Sequence, residues 1–170
     1  ALAARLTTDI LLDPVAAREA LAALPVHTFI TNPKLMDYPW DLVHANPDML
    51  HQGWQRAGEP TDLAGRICEG VYILNKKAVH IGQDSTIKPA VVLDAEKGPI
   101  YIGRHVTISP NSSIEGPCYI GDGSLIQPGS ALECISIGPR CKVGGELKFS
   151  IIHGFSNKQH DGFLGHSYIA

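Results

Sequence analysis

The chain has 170 residues, of which 44% are hydrophobic, 18% charged and 6% aromatic, and its formal net charge is −3. This composition excludes a disordered chain, and the small negative charge excludes a general attraction to nucleic acid or anionic lipid. No apolar run approaches the roughly 20 residues needed to cross a bilayer. Arg5, Asp9 and Asp13 interrupt the opening stretch, so no signal peptide is predicted and a cytoplasmic location is expected.

The first 66 residues predict a mixed α/β arrangement. Asp13 followed by Pro14 predicts a helix start, because Asp caps the first turn and Pro fits its first position. This helix is expected over residues 13–24, and a strand over 26–31. Proline at positions 39 and 47 and glycine at position 58 predict two short helices, over 39–43 and 47–57. Residues 59–66 are then expected to form a connector.

An aliphatic residue next recurs at every sixth position. The run is Ile102, Ile108, Ile114, Ile120, Ile126 and Leu132. The same register includes Ile81, Ile87 and Leu93 upstream, and Ile137, Val143 and Phe149 downstream. A step of six is neither the 3.6 of a helix nor the 2 of a strand, and it indicates a hexapeptide solenoid. A first strand is predicted over residues 71–74, and the interrupted stride predicts a small loop over 94–99.

Small residues occupy a second position of the repeat, four residues after the aliphatic one. They are Ser85, Val91, Val106, Ser112, Cys118, Ser124, Ser130 and Cys141. One large and one small inward side chain per strand fit a narrow prism, whose corners need residues such as Gly, Pro and Asn. Three strands make one triangular coil, which buries its face by stacking on the next. The pattern predicts a mainly β fold, a parallel β-helix, with its cysteines as reduced thiols.

Residues 146–170 break the six-residue stride and gather basic and imidazole side chains. They are Lys148, His153, Lys158, His160 and His166. An imidazole, with a pKa near ~6.5, suits removal of a proton from an amine. A lysine can hold a phosphate as a point charge. This segment is the main candidate site, against the alternative of a solvated loop whose histidines and lysines have no function.

Three segments resemble a known family: YPWDLVHANPDML, VVLDAEKGPIYIG and SNKQHDGFLGHSYI. The family is the bifunctional sugar-1-phosphate nucleotidylyltransferase/acetyltransferases of the N-acetylglucosamine-1-phosphate uridylyltransferase type, in a divergent bacterial and archaeal branch. The resemblance implies a left-handed β-helix. It also implies that residues 1–66 are the tail of a nucleotidylyltransferase domain plus a linker. Residues 67–170 would then be an acyltransferase-like β-helix that is truncated at its C-terminus.

The resemblance also implies roles for individual residues. His160 matches the family's general base, four residues before a Leu-Gly step. Lys148, twelve residues earlier, matches the lysine that binds the sugar phosphate, and Glu146 matches an acidic residue of the same site. Two further substrate-binding positions depart from the family. Gln127 stands where the family has arginine, and Phe163 stands where it has tyrosine, which keeps the ring and loses the hydroxyl.

The reaction that the resemblance implies is acetyl transfer from acetyl-CoA to an amino-sugar 1-phosphate, by a homotrimer. Contacts to acetyl-CoA are expected beyond Ala170, so this fragment alone is expected to be inactive. Mg²⁺ would serve only a nucleotidylyltransferase domain outside the fragment, because no Gly-rich phosphate loop is present in these residues.

The sequence leaves two alternatives to this function. A zinc site would use three histidines, but His153, His160 and His166 are separated by six and five residues, unlike the His-x4-His step of the carbonic-anhydrase branch of this fold. No metal is therefore predicted, and His153 and His166 are expected to be bystanders. The second alternative is a non-catalytic trimerisation scaffold for a nucleotidylyltransferase.

Overall fold

The computed structural model describes residues 13–23 and 35–170. The chain divides into two units, residues 1–35 and 36–170. In the first unit, α1 (Pro14–Ala22) begins where Asp13 Oδ1 accepts hydrogen bonds from the N–H groups of Val15 and Ala16 at 2.9 and 3.3 Å. The predicted helix start is confirmed. The strand predicted over 26–31 lies outside the described residues, and the domain boundary at residue 66 stays a prediction.

The second unit opens with one continuous helix, α2 (Pro39–Arg56), where two short helices were predicted. Pro47 lies inside it, although an internal proline costs a helix about 3 kcal/mol. The predicted break was wrong because one face of α2 packs on the solenoid, where Asn46 Oδ1 accepts a hydrogen bond from Ser136 Oγ at 2.6 Å. The buried residues of this face are Val43, Ala45 and Asn46.

Eighteen short strands follow and form six coils of three strands each. Coil 1 contains β1 (Arg66–Ile67), β2 (Tyr72–Leu74) and β3 (Val79–Ile81). Coil 2 contains β4 (Thr86–Ile87), β5 (Val92–Asp94) and β6 (Ile100–Ile102). Coil 3 contains β7 (Thr107–Ile108), β8 (Ser113–Glu115) and β9 (Cys118–Ile120). Coil 4 contains β10 (Leu125–Ile126), β11 (Ala131–Glu133) and β12 (Ser136–Ile137).

The last two coils follow the same plan. Coil 5 contains β13 (Lys142–Val143), β14 (Glu146–Lys148) and β15 (Ile151–Ile152). Coil 6 contains β16 (Asn157–Lys158), β17 (Phe163–Gly165) and β18 (Tyr168–Ile169). A 3₁₀ turn, Lys76–Ala78, precedes β3. The solenoid starts at β1, one strand earlier than predicted, whereas the loop expected near 94–99 is present between β5 and β6.

Equivalent strands of successive coils pair in parallel and build three six-stranded sheets. Sheet 1 contains the first strand of each coil, sheet 2 the second and sheet 3 the third. Each inward aliphatic residue therefore stacks on its counterpart one coil away, as Ile87 does on Ile108. Burying such a side chain contributes about 1.5–3 kcal/mol. The predicted inward positions from Ile81 to Val143 are buried, and so are the eight small positions.

The predicted register fails at one position in coil 5. Leu147, and not Phe149, is the buried residue that pairs with Leu132 in sheet 2. The step from Val143 to Leu147 is shorter than six because Gly145, with φ +90°, turns the corner within two residues. Phe149 instead adopts a positive φ at the next corner, where its ring stacks on His166 with centroids 5.3 Å apart.

The corner between sheets 3 and 1 uses the left-handed conformation, and in four of its five occurrences the residue is not glycine. The residues in this conformation are Asp84, His105, Gly123, Arg140 and Phe155. From coil 2 onward, each donates its N–H to a carbonyl of the coil before, as His105 does to Gln83 at 3.0 Å. The hydrogen bonds between coils thus offset the strain of a positive φ at a side-chain-bearing residue.

Candidate functional site

Lys148 lies at the end of a column of acidic residues on the outer face of sheet 2. Successive strands align Asp94, Glu115, Glu133 and Lys148 at one register position. The Lys148 ammonium lies 3.1 Å from Glu133 Oε2 and 3.4 Å from Glu146 Oε1. Hydrogen bonds to Glu133 and then to Glu146 raise the pKa of Lys148. Two predicted site residues, Lys148 and Glu146, are therefore in direct contact.

The neighbourhood of Lys148 is a shallow depression of about 230 Å³, also lined by Glu115 and Glu133. Lys97 forms a second ion pair in this column, with Glu115. A phosphate bound here would be repelled by the carboxylates of Glu133 and Glu146, because all three groups are negative. It would also compete with these carboxylates for the Lys148 ammonium. The role of Lys148 as a phosphate ligand stays a prediction, and the structure adds this competition to it.

His160 lies in the turn that leads from sheet 1 to sheet 2 in coil 6, and its side chain is exposed. It borders an open depression of about 430 Å³ formed by residues 157–161. Within the described residues, the turn is held through the His160 carbonyl, which accepts a hydrogen bond from Lys158 Nζ at 2.5 Å, and no side chain bonds to the imidazole. The imidazole therefore faces solvent.

Gln127 lies at the same corner, two coils before His160. Its N–H donates to the Val143 carbonyl at 2.8 Å, and its side chain packs beside Gly144. A Cβ atom added at Gly144 would lie 3.0 Å from Gln127 Cβ and 2.4 Å from the Gln159 carbonyl oxygen. The corner therefore stacks Gln127, Gly144 and the turn of His160 in consecutive coils.

Phe163 completes the predicted set on the outer face of sheet 2. It pairs in register with Glu146, and it is 65% exposed. Glu146, Lys148 and Phe163 thus share one face, and Gln127 and His160 lie at the corner that borders it. Four of these residues lie in neighbouring coils 5 and 6 and Gln127 lies at the same corner in coil 4, but no contact joins the His160 imidazole to Lys148.

Glu133 is the residue of this face that the sequence reasoning missed. It pairs directly with Lys148, one coil away. The available signal was the register of the preceding aliphatic residues, since Leu132 aligns with Leu147. Counting from Phe149 placed the coil two residues out of register and hid the pairing.

Within the described ranges, 13–23 and 35–170, no group of three or more His, Cys, Asp or Glu side chains is arranged to hold a metal ion. Neither of their α-helices combines the length and apolar character that a bilayer crossing requires.

Comparison with known proteins identifies the repeat but does not identify the reaction. Residues 99–134 match the bacterial transferase hexapeptide family, described as six repeats, which covers parts of coils 2 to 4. No curated protein matches the sequence. One solved structure with a detectable likeness is the acetyltransferase domain of PglB from Neisseria gonorrhoeae FA1090 in complex with acetyl coenzyme A, at 13% identity, over 79% of each chain and with a TM-score of 0.35.

A likeness at that identity and TM-score assigns no function to this chain. The family match ends at residue 134, before Lys148 and His160. The fold is established by the parallel pairing of the strands and by the hexapeptide repeat. These repeats fit the left-handed coiling that the resemblance implied. The chain is thus a parallel β-solenoid of six coils, in which residues 99–134 match the bacterial transferase hexapeptide repeats.

Proposed function

We propose that this chain is the acetyl-transferring part of a sugar-1-phosphate nucleotidylyltransferase/acetyltransferase. It would transfer an acetyl group from acetyl-CoA to the amine of an amino-sugar 1-phosphate. The observation that carries the proposal is the exposed His160 imidazole, which has no competing side-chain partner among the described residues and borders the face of Lys148, Glu146 and Phe163.

His160 is proposed as the general base. An amino sugar is protonated near neutral pH, and its nitrogen can attack a thioester only after losing a proton. The imidazole accepts that proton, and the free amine then bonds to the thioester carbonyl carbon. As the C–S bond breaks, the nitrogen loses its second proton and the coenzyme A sulfur takes up a proton, so that an amide and a free thiol are formed. A positioned base of this kind contributes about 10²–10⁴-fold to the rate.

The remaining predicted residues would bind the sugar phosphate. Lys148 would contribute its ammonium to the phosphate, with Glu146 orienting that ammonium from 3.4 Å. The exposed ring of Phe163 offers an apolar surface to the sugar, and Gln127 offers an amide in place of a cation. Gln127 and Phe163 depart from the family pattern, which weakens the case for the family's own sugar phosphate. We therefore propose that the substrate belongs to the class of sugar phosphates related to glucosamine 1-phosphate.

We further propose a homotrimer with threefold symmetry that works in the cytoplasm. The four cysteines are free in the structure, which suits a reducing compartment. Sedimentation of the full-length protein at micromolar concentration tests the assembly, and a stable monomer would contradict it.

The test of the reaction uses the full-length protein with acetyl-CoA and glucosamine 1-phosphate, and follows release of the coenzyme A thiol. The His160→Ala variant is expected to lower the rate by about 10²–10⁴-fold, with a smaller change in KM, because the base acts mainly in the transition state. The matched control is His153→Ala, an exposed histidine in coil 5 that is expected to be a bystander.

The alternative function, a non-catalytic scaffold for a nucleotidylyltransferase, predicts a different outcome. If His160→Ala and the parent release the thiol at the same rate, His160 is not the base. If neither the parent nor the variant releases any thiol while nucleotidyl transfer proceeds, the result supports the scaffold function.

A further inference from the structure

A lysine occupies a position of the solenoid that is otherwise aliphatic. Along sheet 1 the inward positions of coils 2 to 5 are Ile87, Ile108, Ile126 and Val143, all fully buried. The next coil pairs Lys158 with Val143 in the same register. Strand alternation therefore directs Lys158 inward, and its outward neighbour Asn157 pairs with exposed Lys142.

The Lys158 ammonium is bound by backbone carbonyls. It donates hydrogen bonds to the carbonyl oxygens of Gly144 at 2.7 Å, His160 at 2.5 Å and Gly162 at 3.3 Å. Three acceptors match the three protons of an ammonium group. Gly144 belongs to coil 5, whereas His160 and Gly162 belong to the turn of coil 6. The side chain thus ties this turn to the coil before it.

Two glycines make room for this arrangement. A Cβ atom added at Gly144 would lie 2.4 Å from the Gln159 carbonyl oxygen, and one added at Gly145 would lie 2.5 Å from that of Gly162. The added Cβ at Gly145 would also lie 3.1 Å from Lys158 Nζ. The turn therefore sits closer to coil 5 than any side chain would permit, and Lys158 holds it there.

We propose that Lys158 is a positioning residue for His160. By binding the His160 and Gly162 carbonyls, it fixes the backbone on both sides of Asp161 and so the direction in which the imidazole leaves the coil. Its part in catalysis rests on the proposed function, whereas the anchoring of the turn does not.

The first experiment compares Lys158→Met with Lys142→Met in the full-length protein. Methionine keeps the length of the side chain and removes the ammonium, and it suits an aliphatic column, so the melting temperature is expected to stay close to that of the parent. The Glu146 N–H donates to the Gly162 carbonyl at 3.1 Å, so its hydrogen exchange is expected to accelerate about 10- to 100-fold when the charge-assisted hydrogen bonds that hold the turn are lost. The Lys142→Met control is expected to leave this exchange unchanged.

The kinetic arm separates positioning from folding. Lys158→Met is expected to lower kcat about 10- to 100-fold with KM for the sugar phosphate unchanged, and Lys158→Arg is expected to recover part of kcat because it restores donors to the carbonyls. If Lys158 only filled the core, Lys158→Met would leave kcat intact, because methionine fills the same space.

A second measurement needs no variant. The Lys158 ammonium protons of the parent protein, held by three carbonyls, should exchange slowly enough for a 15N-correlated NMR signal that exposed Lys142 lacks. Absence of that signal, or unchanged exchange of the Glu146 amide in Lys158→Met, overturns the anchoring. Faster exchange with unchanged kcat overturns the positioning of a base. Full activity of His160→Ala would show separately that the proposed function itself is wrong.

Discussion

Coil 3 and coil 6 share one backbone plan but differ in the side chains that fill it. Coil 3 points Ile108, Ile114 and Ile120 inward, each at most 1% exposed. Coil 6 places Lys158, Leu164 and Ile169 at the equivalent positions, all partly exposed. Coil 3 is uniform because its side chains serve packing alone. The difference in side-chain type is Lys158, which pairs with Val143 and lies two residues before the proposed base.

The largest expected difference between the two coils comes from placing a charge among the buried isoleucines of coil 3. Ile120→Asp is expected to unfold or aggregate the protein, because an unpaired carboxylate in a fully buried stack costs several kcal/mol, about the total stability of many domains. In the 170-residue chain, the matched change in coil 6, Leu164→Asp, is expected to melt cooperatively at a reduced temperature, since that side chain is only partly buried at the edge of sheet 2. Circular dichroism melting measures both, and an unaltered melt of Ile120→Asp would mean that the register is wrong.

The next effect tests the register of coil 5. Leu147→Ala is expected to destabilise the protein by about 2–5 kcal/mol, the usual cost of emptying a fully buried leucine site. Phe149→Ala removes only a corner ring stacked on His166, and is expected to cost about 1 kcal/mol. Urea unfolding of both variants gives the two values. The reverse order would restore the unbroken six-residue stride from Val143 to Phe149.

Much of the fold could be predicted because large and small side chains recur at fixed positions of the repeat. The large and small inward positions follow from the sequence, since each strand must fill the same narrow prism. The continuity of α2 through Pro47 could not be predicted, because it depends on packing against the solenoid around Asn46 and Ser136. The positive φ of His105 was equally hidden, because it is stabilised by a hydrogen bond to Gln83 in another coil.

The candidate site was predictable only in part. Spacing and resemblance identified Lys148 and Glu146, which the structure places in contact. The partner Glu133 was missed because it lies one coil away in sequence and becomes a neighbour only through strand pairing. Lys158 was recognised as one basic residue among several, but its inward direction follows from its pairing with Val143, after the coil has shortened at Gly145.

The smallest expected effect concerns the ion pairs of Lys148. Glu133 and then Glu146 raise the pKa of Lys148, so its folded-state pKa lies above the ordinary 10.5 and the charged form is favoured by folding. The stabilisation is therefore fully present below pH 10.5 and is lost as pH rises through the raised pKa. Because the pair is solvent-exposed, Lys148→Met is expected to lower the melting temperature only slightly at pH 7–9.

The difference in melting temperature between parent and Lys148→Met should shrink above pH 10.5, and raising the salt concentration should shrink it at neutral pH as well. Lys142→Met serves as the control, because Lys142 is exposed and makes no ion pair with a described residue. A difference that persists unchanged to pH 11.5 would show that Lys148 stabilises the face through its aliphatic stem and not through Glu133. In that event its ammonium would be free of the carboxylates, and the competition with a bound phosphate inferred from the geometry would not exist.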